Sequence, residues 1–124
     1  MKVLFYAKTI KGAGRRLLRV IETLLPNDMI EIYNSIDGLS RWFSRPQPAD
    51  APVIVVFQAV GQEDLQSMLS IRDLLMDVRI LMVLPDKEKE TIAKAHRLRP
   101  RFITYADSDF LEIGAVLNKM CGIH

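Results

Sequence analysis

Five short apolar runs alternate without a break with five amphipathic stretches, and few architectures can accommodate that alternation. The runs cover residues 2–7, 29–33, 52–57, 79–84 and 101–105. The third contains Val53, Ile54, Val55, Val56 and Phe57 in succession: β-branched, continuous and uncharged, as suits a strand covered on both faces of a parallel sheet. Between the runs, apolar residues recur at helical spacing. Leu17, Val20, Ile21, Leu24 and Leu25 share one face, which Pro26 and Asn27 bring to an end. Ile36, Leu39, Trp42 and Phe43 make a second stripe, with Ser35 placed to cap it. Trp42 and Phe43 read as core; exposure of Trp42 would instead mark a contact site. Prolines 46 and 48 put residues 45–48 in a loop. Further helices are predicted over 62–76 (Leu65, Met68, Leu69 and Leu75 inward), over 87–98 (Ile92, Ala95 and Leu98 inward) and over 109–120.

Strands that alternate with helices across short connections build right-handed βαβ units. The expected fold class is therefore α/β: a (βα)5 three-layer sandwich around a five-stranded parallel sheet. A chain of 124 residues makes one domain, residues 1–124, and shows no repeat, low-complexity tract or linker. The final Cys121-Gly122-Ile123-His124 reads as a natural end.

Composition narrows the function classes. With 49% hydrophobic and 26% charged residues the chain is neither disordered nor fibrous. Net charge is only +2, which gives no electrostatic mandate for nucleic acid or a membrane surface. Residues 1–45 are modestly basic, with eight of the 17 Lys and Arg against four of the 15 Asp and Glu. The one cysteine, Cys121, has no internal partner and no activating neighbours, which fits a reduced, cytoplasmic setting. No apolar run approaches the length of a membrane span or of a signal peptide's apolar stretch.

The sharpest local feature is Lys11-Gly12-Ala13-Gly14-Arg15-Arg16 at a strand-to-helix turn. Glycines there let backbone approach a ligand, and a helix start offers free N–H groups to an anion. Lys8, Lys11, Arg15 and Arg16 would add charge-assisted contacts. The spacing matches neither the P-loop nor G-x-G-x-x-G, because Leu17 stands where the third glycine belongs. A short glycine turn beside a solvated basic helix face accounts for it as well. Lys94, His96, Arg97, Arg99 and Arg101 form a second basic cluster, whose simplest use is to complement a helix dipole. Neither His96 nor His124 has partners at catalytic or metal-ligand spacing.

Over essentially the whole chain, the pattern resembles the receiver domain of bacterial response regulators, a flavodoxin-like fold. The likeness is most specific in Arg79-Ile-Leu-Met-Val-Leu-Pro-Asp-Lys-Glu-Lys-Glu-Thr-Ile-Ala-Lys-Ala95, similar to the family's fourth strand and helix. It continues through Phe110-Leu-Glu-Ile-Gly-Ala-Val-Leu-Asn-Lys-Met120, similar to the closing helix. The resemblance implies an acidic pair after the first strand that holds Mg²⁺, an acceptor Asp ending the third, a hydroxyl ending the fourth and a Lys ending the fifth. Here those places fall at Ala7, Lys8 and Thr9, at Phe57 or Gln58, at Leu84 and at about Tyr105. None carries the required group. Asp86, Asp107 and Asp109 lie on the same rim, where an acidic residue before a helix is commonly a cap.

The expectation is a pseudo-receiver: no catalytic residues, no metal and no cofactor, with Lys8, Gln58 and Tyr105 in contact and holding one fixed conformation. It would act on another signalling protein or on itself, through the fourth helix–fifth strand–fifth helix face that receivers use for dimers. The alternative is a small-ligand module binding a phosphate-bearing metabolite or nucleotide at residues 12–16. Nucleic acid is least favoured, because the basic residues are split between two clusters without interleaved aromatics.

Overall fold

The longest apolar runs have no polar face to offer water, and they occupy the middle of the sheet. In the computed structural model, which describes residues 1–46 and 52–122, these are β1 (Lys2–Ala7), β3 (Val53–Gln58) and β4 (Arg79–Leu84). Every residue of each after the first is buried. The shorter β2 (Ile30–Tyr33) and β5 (Phe102–Tyr105) are half-buried edge strands. All pairings are parallel, in the order β2-β1-β3-β4-β5.

Successive strand residues face opposite sides of the sheet, so two cores form. Val3, Phe5, Ile54, Val56, Leu81 and Val83 meet Leu17 and Ile21 of α1 (Ala13–Leu24) and Ile113 and Leu117 of α5 (Leu111–Met120). Leu4, Tyr6, Val55, Phe57, Met82 and Leu84 meet α2 (Ile36–Ser44), α3 (Gln62–Ser70) and α4 (Lys89–Arg97) through Leu39, Trp42, Leu65, Met68 and Ala95. The result is the expected α/β fold of flavodoxin-like type, with a parallel sheet between two helical layers. Each fully buried Leu, Ile or Phe contributes roughly 1.5–3 kcal/mol by leaving water.

Local chemistry accounts for the element ends. The Ser35 hydroxyl accepts the Gly38 N–H at 3.1 Å and caps α2. Trp42 is core: its indole N–H donates to Glu31 Oε2 at 3.2 Å, and the Tyr33 hydroxyl donates to Glu31 Oε1 at 3.2 Å.

Several boundaries differ from the sequence expectation. Met29 belongs to a 3-10 turn, Asn27–Met29, whose N–H returns to the Pro26 carbonyl, so β2 begins one residue later. The helix expected over 62–76 ends at Ser70. Two serines and the β-branched Ile71 weaken it there, and a 3-10 turn, Arg72–Leu75, still delivers Leu75 to the core. Asp86 Oδ1 accepts the Glu88 N–H at 3.0 Å, and this turn delays α4 to Lys89. Phe110 adopts the left-handed region (φ 64°), so α5 starts at Leu111. The proline loop is followed as far as Pro46; residues 47–51 and 123–124, which include Pro48 and His124, lie outside the described residues. Among the described residues no helix is long and apolar enough to cross a membrane.

Candidate functional site

In the order β2-β1-β3-β4-β5 the chain turns one way from β1 and the other way from β3. The carboxyl ends of those two strands therefore border the crevice in which open α/β sheets usually hold ligands. Ala7 pairs with Gln58 there, and Lys8 and Thr9 follow. The two positions next along the rim are Leu84 and Tyr105, which pair with each other.

Packing closes this crevice from the side of α1. Gly12 turns the chain with φ 50°, a conformation that favours glycine. Gly14 is a glycine for want of room: a Cβ there would lie 3.0 Å from the Thr9 carbonyl oxygen, 3.3 Å from Gln58 Oε1 and 3.7 Å from Ala7 Cβ. The first turn of α1 thus sits directly on the ends of β1 and β3. Gln58 is 5% exposed, and its Oε1 is buried without a hydrogen-bond partner among the described residues. An orphaned buried carbonyl of this kind costs about 1–3 kcal/mol.

The other candidates spread apart. Lys8 and Thr9 are exposed, and Lys8 makes no hydrogen bond or ion pair with the described residues. No hydrogen bond joins Lys8, Gln58 and Tyr105 as expected: the Tyr105 ring lies under Lys87, whose Nζ is 4.9 Å from its centroid. Leu84 is fully buried in the α2–α4 core. In the glycine turn, Lys11 and Arg15 are exposed, and Arg15 reaches only the Ile10 carbonyl at 3.5 Å. Arg16 is committed to the protein. Its guanidinium donates to the Ser108 carbonyl at 3.0 Å and the Ala106 carbonyl at 2.7 Å, and lies 5.0 Å from the centroid of the buried Phe110 ring. It holds the β5–α5 turn against α1, and so helps keep Phe110 in its left-handed conformation.

Two of the three rim carboxylates serve turns. Asp86 has the role described above, and Asp109 Oδ1 accepts the Leu111 N–H at 3.0 Å. Asp107 is exposed beside Asp86, Lys87 and Tyr105 in a shallow depression. Lys94 leaves the second basic cluster by donating to Gln62 Oε1 at 2.7 Å, which ties α4 to α3.

The residue that sequence reasoning passed over is Asp64. It is 5% exposed, and its Oδ2 accepts the Val60 N–H at 2.8 Å. An acidic residue reaching back from the third position of a helix is a recognisable start signal, available in Gly61-Gln62-Glu63-Asp64. Burial and then the Asp64 charge raise the pKa of Tyr6, which stacks on Phe57 with centroids 4.8 Å apart. Burial likewise pushes the Cys121 thiol up, the reverse of an activated nucleophile.

Mg²⁺ favours hard, negatively charged oxygens. The ends of β1 and β3 offer it an ammonium, a hydroxyl and an amide at Lys8, Thr9 and Gln58, and these residues do not fit the ion. Among the described residues no group of three or more His, Cys, Asp or Glu is arranged to hold a metal. No protein-family model matches the chain, and no curated protein matches it.

Proposed function

We propose that this chain is a receiver-like domain that transfers no phosphoryl group and acts through protein contacts. The observation that carries this reading is the Ala7–Gln58–Gly14 contact. At the crevice of a flavodoxin-like sheet, an uncharged amide and the first turn of a helix fill the place where the resemblance calls for converging carboxylates. An amide oxygen is a poor nucleophile toward phosphorus, and Gln58 Oε1 is buried without a hydrogen-bond partner among the described residues. The proposed partners are another signalling protein or a second copy of the chain, through the α4–β5–α5 face that the resemblance implies. The single unpaired thiol agrees with a cytoplasmic setting.

The ligand-module alternative has less support. It needs Gly12 and Gly14 to open backbone to an anion and Arg16 to reach it, whereas Gly14 is packed on protein and Arg16 is spent on two carbonyls.

An amide chemical-shift titration separates the two. Mg²⁺ with a phosphoryl mimic, followed by nucleotides and phosphate esters, should leave the amides of residues 7–16 and 57–60 unmoved. Saturable shifts confined to Lys8 and residues 12–16 would replace the contact domain with the ligand module.

A further inference from the structure

At the edge of the sheet opposite the β1–β3 crevice, the chain enters β4 and β5. There the 3-10 turn Arg72–Leu75 and the end of α4 border a depression of about 370 Å³. Its floor is apolar, made by the buried Leu75 and Leu98, and Met76 stands on its rim at 81% exposure. Around it are the exposed Arg72, Arg97 and Arg99. None of the three guanidinium groups makes a hydrogen bond or ion pair with the described residues. Asp73 is the one carboxylate among the lining residues.

Helix-dipole complementarity accounts for Arg97, which sits in the last turn of α4. It does not account for Arg72, which arrives from another element. Arg99 occupies φ 53°, a conformation that favours glycine. A third guanidinium therefore stands at a position where the backbone alone would select a residue without a side chain.

We infer that this depression docks an acidic segment of a partner protein. Its carboxylates meet the arginine trio, and one apolar side chain rests on Leu75 and Leu98 beside Met76. The inference rests on the contact-domain reading and adds to the α4–β5–α5 face a second surface, with the chemistry of the partner it takes. Planar guanidinium forks match carboxylates in geometry as well as charge. Arginine and methionine are each enriched at protein interfaces relative to the rest of the surface. A small inorganic anion would use the rim and leave the apolar floor wet, whereas an acidic segment with one apolar anchor uses both.

A random-peptide display library, selected on the full chain, tests this. Enriched sequences should place Asp or Glu around a Leu, Met or Phe, and their amide shifts should concentrate at residues 72–78 and 96–99. Binding should weaken about tenfold or more in the Arg72→Glu/Arg97→Glu variant and fall as salt is raised. The Arg72→Gln/Arg97→Gln variant, which adds no repulsion, should weaken less, and both should keep the wild-type amide spectrum elsewhere. Enriched peptides without acidic residues, or bound equally by the variants, overturn the inference. Acidic peptides that shift amides on another face overturn this surface and leave the contact-domain reading standing. Shifts of residues 72–78 produced by pyrophosphate at the same concentration as the peptides overturn the peptide occupant in favour of a small-anion site. The parent reading fails on different amides, those of residues 7–16 with Mg²⁺ and phosphate esters, so the two failures are distinguishable.

Discussion

Gly14 and Gln58 meet at the carboxyl rim of the sheet, where a backbone carbonyl, a buried amide and a helix start leave no space for one more carbon. Gly14→Ala gains a little helix propensity but must push the Thr9 carbonyl or the Gln58 amide aside. The expected net loss is about 1–2 kcal/mol, visible as a lower urea midpoint at unchanged slope. Unchanged or raised stability would mean that the rim is looser than the 3.0 Å approach indicates. In the sequence, Gly14 was legible as a turn glycine, but a glycine that admits a ligand and one that admits another part of the chain look the same. Only the fold brings Gln58, 44 positions away, against it.

Tyr6 and Tyr33 make a second prediction at this scale. Burial raises both above the ordinary value of 10.0; the charge of Asp64 adds to it for Tyr6 and that of Glu31 for Tyr33. The native phenols keep protons that the unfolded chain releases, so their contribution is complete below pH 10.0 and is lost as the pH rises toward the native values. Cys121, raised by burial from 9.0, starts the decline earlier. Thermal melts should be flat from neutral pH to about 9 and fall above it, with a shallower fall in Tyr6→Phe. A melting temperature that rises on the alkaline side contradicts these directions.

At the scale of elements, apolar runs of fixed period identified all five strands and all five helices, because burial acts on every residue of such a run. Their ends were less legible. The stop at Ser70 depends on Ser67, Ser70 and Ile71 jointly, and the late start of α5 depends on Phe110 accepting a left-handed backbone while Arg16 covers its ring. The end of α4 gives the testable case. Arg99 N–H returns to the His96 carbonyl at 3.0 Å with φ 53°, the geometry that a glycine makes without strain. Arg99→Gly relieves about 1 kcal/mol of that strain and returns part of it to the more flexible unfolded chain. The melting temperature should rise by roughly 1–4 °C, while binding of acidic peptides weakens. A fall in stability would show that the Arg99 side chain holds the turn rather than serving the surface beside it.

For the whole molecule, the parallel topology separates two chemistries by the length of the strands. The carboxyl edge carries Lys8, Gln58 and Tyr105, and the amino edge carries the arginine-rimmed depression. The alternation of runs made the sheet legible. It could not show that Arg72 lies beside Arg97 and Arg99, which requires the crossovers on either side of β4, nor that Lys8 turns to solvent instead of into the crevice. The function proposed here depends on the carboxyl edge being a receiver pocket in position though not in chemistry. The most direct test is a Mg²⁺ titration of Lys8→Asp/Gln58→Asp, followed by amide shifts. The account predicts saturable shifts at residues 7–9 and 57–60 that wild type does not show. A folded double variant that ignores Mg²⁺ would contradict the correspondence between this rim and a receiver's.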